Sequence, residues 1–431
     1  MSIRIGYSRI DITPSVPVPL AGLGNTLNRI SNNILDKLQS TCLAFSDDNG
    51  NTFLFFTSDL VRAVPHYLDQ VRAVILEKYG IAPEFVMFAN THTHSATDYL
   101  QQEHEGVKKS AEMLIDKMVK AAGDALNDRA LATLSSGSAY PESLNFVRHY
   151  TKNPQTNELI GHPYEPDNQL QIIMINRSGA KNIMIMNWQG HPCFTCGYNK
   201  TDISADYIHT IREMVEAEND CHFAFFLGAS GDVNVRSRIK TEIIAPDYNS
   251  YADFMREYIQ QALNAQKPIE ADKLAILRKD VKLIIDHSDD SRIADAQIVV
   301  DFWKSTYDRK ATDAMAKQYG INTPYHANAI INRSKQPDSI VISVDVACVG
   351  KLGFVFAPYE MFCKNGMYIK ENSPMDATIV STCSNNGYSY FPDDFAFTEQ
   401  CYEVDVRRFE RGTAEKVAGT FVSMLEELRC D

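Results

Sequence analysis

The sequence predicts an α/β fold: mixed β-sheets flanked by helices, with a metal site at the carboxyl ends of strands. Three observations predict it. Apolar runs of strand length stop repeatedly at a polar, reactive cluster. Several of these runs are continuously apolar, as expected for strands covered on both faces. Helical patterns, with apolar positions three and four residues apart, lie between them. Strands alternating with helices indicate a layered α/β domain, and open sheets of this class gather ligands at strand carboxyl ends.

Taken in order, "NTFLFFTSDL" is a strand ending at Asp59, followed by a helix over 66–79. "EFVMFANTHTH" ends at His92 and His94, before a helix over 107–127. "KNIMIMNWQGH" ends at His191 and precedes a helix over 205–217. "HFAFFLGASGD" ends at Asp232, and a helix follows over 250–266. Residues 268–286 and 339–350 read as paired strands flanking a long helical stretch, 291–319. "KLGFVFAPYE" ends at Glu360, and a last helix covers 410–429. There is no internal repeat and no low-complexity linker, so residues 1–431 read as a single catalytic domain, with 268–350 as a possible subdomain.

Composition narrows the function classes. The chain is 44% hydrophobic and 23% charged, ordinary for a globular protein. A net charge of −13 argues against a general nucleic-acid binder and against adhesion to an anionic membrane. The start, "MSIRIGYSRIDITP", carries no secretion signal, and no apolar run approaches the roughly 18–20 residues that cross a bilayer. Nine cysteines, an odd number without a framework pattern, suit reduced thiols. The expectation is a cytoplasmic protein acting on a small-molecule substrate. It has no nucleic-acid partner and no stable membrane association, and a homo-oligomer is possible.

The chemistry concentrates at strand ends. On an extended strand, residues two apart point to one side, so His92 and His94 can share a ligand. His191 and Glu360 occupy equivalent positions after other strands. Two histidines and a carboxylate with an open position are the usual make-up of a catalytic zinc site. Pro192-Cys193-Phe194-Thr195-Cys196 is half of the zinc-deaminase signature, but the upstream His-x-Glu is missing. Two small buried thiols beside a functional histidine are therefore expected. "LGASGDVNV", 227–235, has the spacing of neither a P-loop nor a dinucleotide fingerprint. It is expected to bring backbone close to the site, with Asp232 and Asn234 as hydrogen-bonding supports. Ser230 resembles a nucleophile turn but has no decisive base. The tyrosines of "NNGYSYFPDDFAFTEQCYEV", 385–404, read from composition as packing residues.

Together these motifs resemble the neutral, non-lysosomal ceramidase family, in particular its shorter bacterial relatives. The resemblance runs to about residue 405. It rests on "DITPSVPVPLAGLG", "NTHTHS", "GHPCFTCGYNKTDISADY", "GASGDVN", "FAPYEMF" and "NNGYSYFP…CYE". It implies a zinc amidase that cleaves an N-acyl bond. His92, His191 and Glu360 would hold zinc, with Tyr390 as the metal-proximal tyrosine. His94 would be the substrate-side general base or proton shuttle, and Tyr402 and Arg148 would stabilise the oxyanion. Gly22 would line the pocket, and Asp232 is placed on its substrate-binding side.

This sequence also departs from the family. The position of the family's essential serine reads Gly228, with Ser230 displaced. Neither the trailing β-sandwich domain nor a secretion signal is recognised. The expected function is therefore zinc-dependent hydrolysis of an amide or related bond of a soluble substrate. The alternatives are a non-amidase metal-dependent hydrolase or lyase acting on a sugar derivative, and a catalytically inactive binding protein on the same fold. An amidohydrolase-type barrel would place its HxH after the first strand, earlier than residue 92.

Overall fold

Continuous apolar runs become strands buried on both faces. A computed structural model describes residues 2–429 except 24, 25, 63, 150–155, 157–161, 163, 199, 236–246 and 400. In the run Phe53-Leu54-Phe55-Phe56, Phe53 and Phe55 enter one core, and Leu54 and Phe56 another. The strand Val86–Asn90 divides the same way, with Met87 and Ala89 on one side and Val86 and Phe88 on the other.

The larger sheet has nine strands. Along its path they are Cys221–Leu227, Asn182–Trp188, Leu170–Arg177, Ala130–Ala139, Ile3–Asp11, Gln39–Asp47, Thr52–Ser58 and Val86–Asn90, and Lys267–Ile269 pairs with Ala130–Ala139. The first and last pairs on this path are parallel, and the pairs between are antiparallel. A second sheet runs Leu274–Ile284, Ser339–Val349, Leu352–Phe356, Ala377–Ser381.

The two sheets pack face to face. Phe354 meets Phe45 and Phe55 at ring-centroid distances of 6.2 and 5.1 Å, and Phe356 meets Phe55 at 5.0 Å. Helices Pro65–Tyr79, Glu105–Asn127, Tyr207–Glu218 and Tyr248–Asn264 cover the outer face of the first sheet. Helices Cys363–Asn372 and Thr413–Leu428 cover the second. The result is four layers: helix, sheet, sheet, helix.

The expected pair at 268–286 and 339–350 is present: Leu274–Ile284 and Ser339–Val349 are antiparallel along their whole length. The helical stretch between them differs from expectation. Helix Ile293–Thr306 stops at Tyr307, whose φ of 51° is left-handed. Helix Arg309–Ala316 then restarts under an Asp308 cap. A further helix, Pro324–Ser334, begins with proline behind a Thr323 cap, a start signal the periodicity did not reveal. These helices share a small core of their own that includes Val299, Ile321 and Ile330.

Sheet twist positions the site. The path from Asn182–Trp188 to Val86–Asn90 takes six steps, five of them antiparallel. On a flat sheet the two carboxyl ends would lie at opposite edges. A twist of about 20–25° per step accumulates to roughly 120–150° and brings them to the same region. The roll is visible where the Tyr7 hydroxyl donates across it to the Phe223 carbonyl at 3.0 Å. Among the described residues, no helix is long and apolar enough to cross a membrane.

Candidate metal centre

The strand Val86–Asn90 stops before the histidines, and local backbone then aims them. Thr91 N donates to Ser58 O and His92 N to Leu60 O, both at 2.9 Å. His92 takes φ 65°, an uncommon value for a residue with a side chain. His92 and His94 thus converge through a left-handed turn, not through the strand alternation read from the sequence. Their ring centroids are 5.1 Å apart. His191 follows Asn182–Trp188 and lies 4.7 Å from each of them, centroid to centroid. Glu360 sits in the short strand Tyr359–Met361, in register with Tyr390 of the parallel Tyr388–Phe391. Its Oε2 is 3.5 Å from His92 Nε2.

The partners of the outer ring nitrogens set the tautomers. His92 Nδ1 contacts the Val61 carbonyl, and His191 Nδ1 the Ser230 carbonyl at 3.2 Å. A carbonyl only accepts, so both Nδ1 atoms carry the hydrogen, and both Nε2 atoms have lone pairs for the cavity. His92 Nε2 and Glu360 Oε2 are buried with no hydrogen-bond partner. His94 Nε2 is 2.8 Å from His191 Nε2, and His94 Nδ1 is buried without a partner. Ligand nitrogens of His92, His94 and His191 all lie within 4.8 Å of one another. Two inward Nε2 atoms and an orphaned carboxylate oxygen, with the His94 imidazole beside them, fit a borderline divalent cation such as zinc.

The electrostatics agree with that donor set. Burial, then the neighbouring imidazoles, push His94 and His191 well below their ordinary pKa, so both are neutral. At His92 burial also opposes charge, but Cys383 and Glu360 outweigh it and raise the ring to about 10. A cation between His92 and Glu360 would displace that proton. Burial raises Glu360, and His92, Arg148 and Tyr390 more than reverse it, so the carboxylate is charged. Burial, then Glu360, hold the Tyr390 phenol well above its usual value. The Tyr390 phenol therefore keeps its proton beside the charged Glu360.

A cavity of about 390 Å³ opens beside these groups, lined by Gly22, Arg62, His92, His94, Glu360, Tyr390 and Tyr402 among others. Gly22 has φ +98°, and a Cβ there would lie 2.4 Å from His94 Cγ, so only glycine leaves that ring its place. Tyr402 stands at the rim, 46% exposed. Two residues lie elsewhere than expected. Arg148 is outside the cavity lining; its Nε donates to Glu403 at 2.6 Å and its guanidinium lies 5.5 Å over the Tyr390 ring. It therefore acts on the site through Tyr390. Asp232 is fully buried behind the site, where its carboxylate accepts from Cys363 N at 2.7 Å and faces the Cys363 thiol. It supports the turn instead of facing a substrate, because no face of it reaches the cavity lining.

The glycine-rich turn supplies backbone, as expected. Ser230 gives its carbonyl to His191. Gly231 N donates to Met361 O at 2.8 Å, and a Cβ on Gly231 would lie 2.9 Å from the Glu360 carbonyl. The turn thereby brings His191 and Glu360 together. Cys193 and Cys196 are thiols, outside any disulfide, that follow His191 in sequence.

Several cavity residues escaped sequence reasoning. Arg62 and Cys383 line the cavity, as does Tyr325 from the additional helix. Asn385, φ 58°, pins the tyrosine loop to the histidine strand: its Oδ1 accepts from Phe88 N at 2.9 Å and Arg72 Nη2 at 3.0 Å. Its Nδ2 donates to Asp345 at 2.9 Å. The Asn-Asn-Gly turn was the available signal, since asparagine tolerates positive φ.

No protein-family model and no curated protein sequence matches the chain. Solved structures do. Neutral ceramidase from Pseudomonas aeruginosa superposes with a TM-score of 0.74 at 16% identity, covering 100% of this chain and 76% of that one. A ceramidase complexed with C2 superposes with a TM-score of 0.74 at 17% identity, covering 100% and 75%. The chain therefore has the fold of the neutral ceramidases.

Proposed function

We propose that this protein is a metal-dependent hydrolase, with zinc as the cation, that cleaves an amide or related N-acyl bond of a small, polar substrate. The observation that carries the reading is the convergence of the His92 and His191 Nε2 lone pairs beside the unpartnered Glu360 oxygen. The fold shared with proteins named ceramidases supports the bond type.

His92, His191 and Glu360 would hold the cation, with His94 within reach of the same point. The cation would supply Lewis acidity toward a carbonyl and make water acidic enough to react near neutral pH. The chain's own residues do the rest. His94 is neutral, lines the cavity and has an open Nδ1, so it takes up a proton. The Tyr390 hydroxyl, kept protonated, donates toward developing negative charge, and Tyr402 does so from the rim. Arg148 orients Tyr390. A cavity of about 390 Å³ with Arg62 and four tyrosines on its wall suits a compact polar molecule. A cytoplasmic location belongs to the same reading, since the eight described cysteines form no disulfide.

The test pairs metal analysis with a panel of N-acyl amines of graded chain length and polarity. The purified protein should carry about one equivalent of zinc at this centre and turn over the shorter, polar members. His191→Ala should lose both the cation and the activity. A zinc-loaded protein that hydrolyses no member of the panel would refute the amidase assignment.

A further inference from the structure

His149, His162 and Glu399 form a second buried cluster, apart from the first. His162 Nε2 is 3.2 Å from Glu399 Oε2, and His149 Nδ1 is 3.4 Å from the same oxygen. Side-chain exposures are 2% for His149, 4% for His162 and 6% for Glu399. One ligand atom from each lies within 4.8 Å of the others. Around a tetrahedral cation with bonds of about 2.0–2.1 Å, ligand atoms stand roughly 3.3 Å apart, the spacing of each histidine nitrogen from Glu399 Oε2.

The surroundings prepare this cluster. His149 Nε2 faces Glu403 Oε2 at 3.3 Å, while Glu403 Oε1 accepts from Arg148 at 2.6 Å. A carboxylate behind the far nitrogen of a histidine orients the ring and leaves the near nitrogen turned toward the other ligands. Neither His149 nitrogen reaches hydrogen-bond geometry, although both are buried. His162 is held edge-on by Tyr164, centroids 3.9 Å apart, and His149 packs on Phe362 at 5.1 Å. Tyr164 N donates to His162 Nδ1 at 3.4 Å, long for such a bond, so without a cation Nε2 carries the hydrogen toward Glu399 and a bound cation would displace it. The alternative trio of His149, Cys401 and Glu403 uses a carboxylate already committed to Arg148.

We propose that His149, His162 and Glu399 bind a second divalent cation of the zinc class, with Glu403 orienting His149 from behind. Glu403 is the hinge between the two centres. It joins His149 to Arg148, and Arg148 lies over Tyr390 in the cavity wall. The second cation is thus a positioning element for that wall.

Protein stripped by a chelator and titrated with Zn²⁺ against a chromogenic competitor reads the stoichiometry directly. Wild type should take up two equivalents, and His162→Ala one. His191→Ala, which empties the first centre, should also keep one, and the double variant should keep none. Co²⁺ in place of Zn²⁺ should show a tetrahedral visible spectrum in His191→Ala that His162→Ala/His191→Ala lacks. Glu399→Gln, which preserves side-chain shape, repeats the measurement if His162→Ala does not fold by circular dichroism. Equal uptake by wild type and Glu399→Gln overturns the proposal. So does uptake of a single equivalent that only His191→Ala removes. Either result would leave His149 as an imidazolium clamped between two carboxylates.

Discussion

At the scale of single residues, a carbonyl and a missing Cβ matter more than a hydroxyl. Ser230 touches His191 through its main-chain oxygen. Ser230→Ala should therefore keep its metal and lose no more than about threefold in kcat, whereas loss of a true nucleophile costs many orders of magnitude. A drop of about 10³ or more would return Ser230 to the chemistry. Gly22→Ala should behave in the opposite way. Its Cβ would lie 2.4 Å from His94 Cγ at a φ that alanine resists. A fall in kcat of about 10² with metal content unchanged is expected, as for a catalytic group displaced by an ångström. Retention of full activity would show that His94 is a bystander. The types and positions of His92, His94, His191 and Glu360 were legible because each follows an apolar strand. The burial of Asp232 was not, since a turn aspartate that supports backbone reads the same in sequence as one that faces a ligand.

At the scale of elements, the site depends on how the 385–404 loop docks. Asn385 closes four side-chain hydrogen bonds, with Phe88 N and Met87 Sδ of the Val86–Asn90 strand, Arg72 and Asp345, and its own N donates to Phe88 O at 2.7 Å. Asn90 returns a bond to the Cys383 carbonyl at 2.7 Å. Asn385→Ala removes all four side-chain bonds, leaves Phe88 N–H unsatisfied in the core and puts alanine at positive φ. A loss of about 3 kcal/mol in urea unfolding is expected. Activity should also fall, because the Tyr390 strand hangs on this loop. A loss under about 0.5 kcal/mol would mean that the loop is held elsewhere. The elements themselves were mostly legible, since helix and strand periods are local. The break at Tyr307 and the helix Pro324–Ser334 were not, because a left-handed residue and a short cap leave little mark on periodicity.

At the scale of the molecule, the layering followed from doubly apolar strands. The strand order did not, because pairing in the larger sheet joins segments far apart in sequence and only accumulated twist brings its active edges together. The same dense packing creates a testable pH dependence. Asp36 is buried, with Oδ2 accepting from Ser204 Oγ at 2.5 Å and Oδ1 from Ala205 N at 2.6 Å. Burial, the largest influence, outweighs those bonds and lifts its pKa from 3.8 to about 6. An acid whose folded pKa exceeds its unfolded one binds more protons when folded between those values. Its contribution therefore favours the fold below about pH 4 and is lost as pH rises through about 6. Two units amount to about 3 kcal/mol. Asp36→Asn cannot ionise, so the stability difference between variant and wild type should shift in the variant's favour by about that amount from pH 4 to pH 7.5. Comparing the same pair of proteins at both pH values cancels any change in hydrogen bonding to Ser204 or Ala205. Denaturant unfolding at the two pH values measures it, and a difference that does not move with pH would mean that Asp36 ionises in the fold as freely as in the open chain.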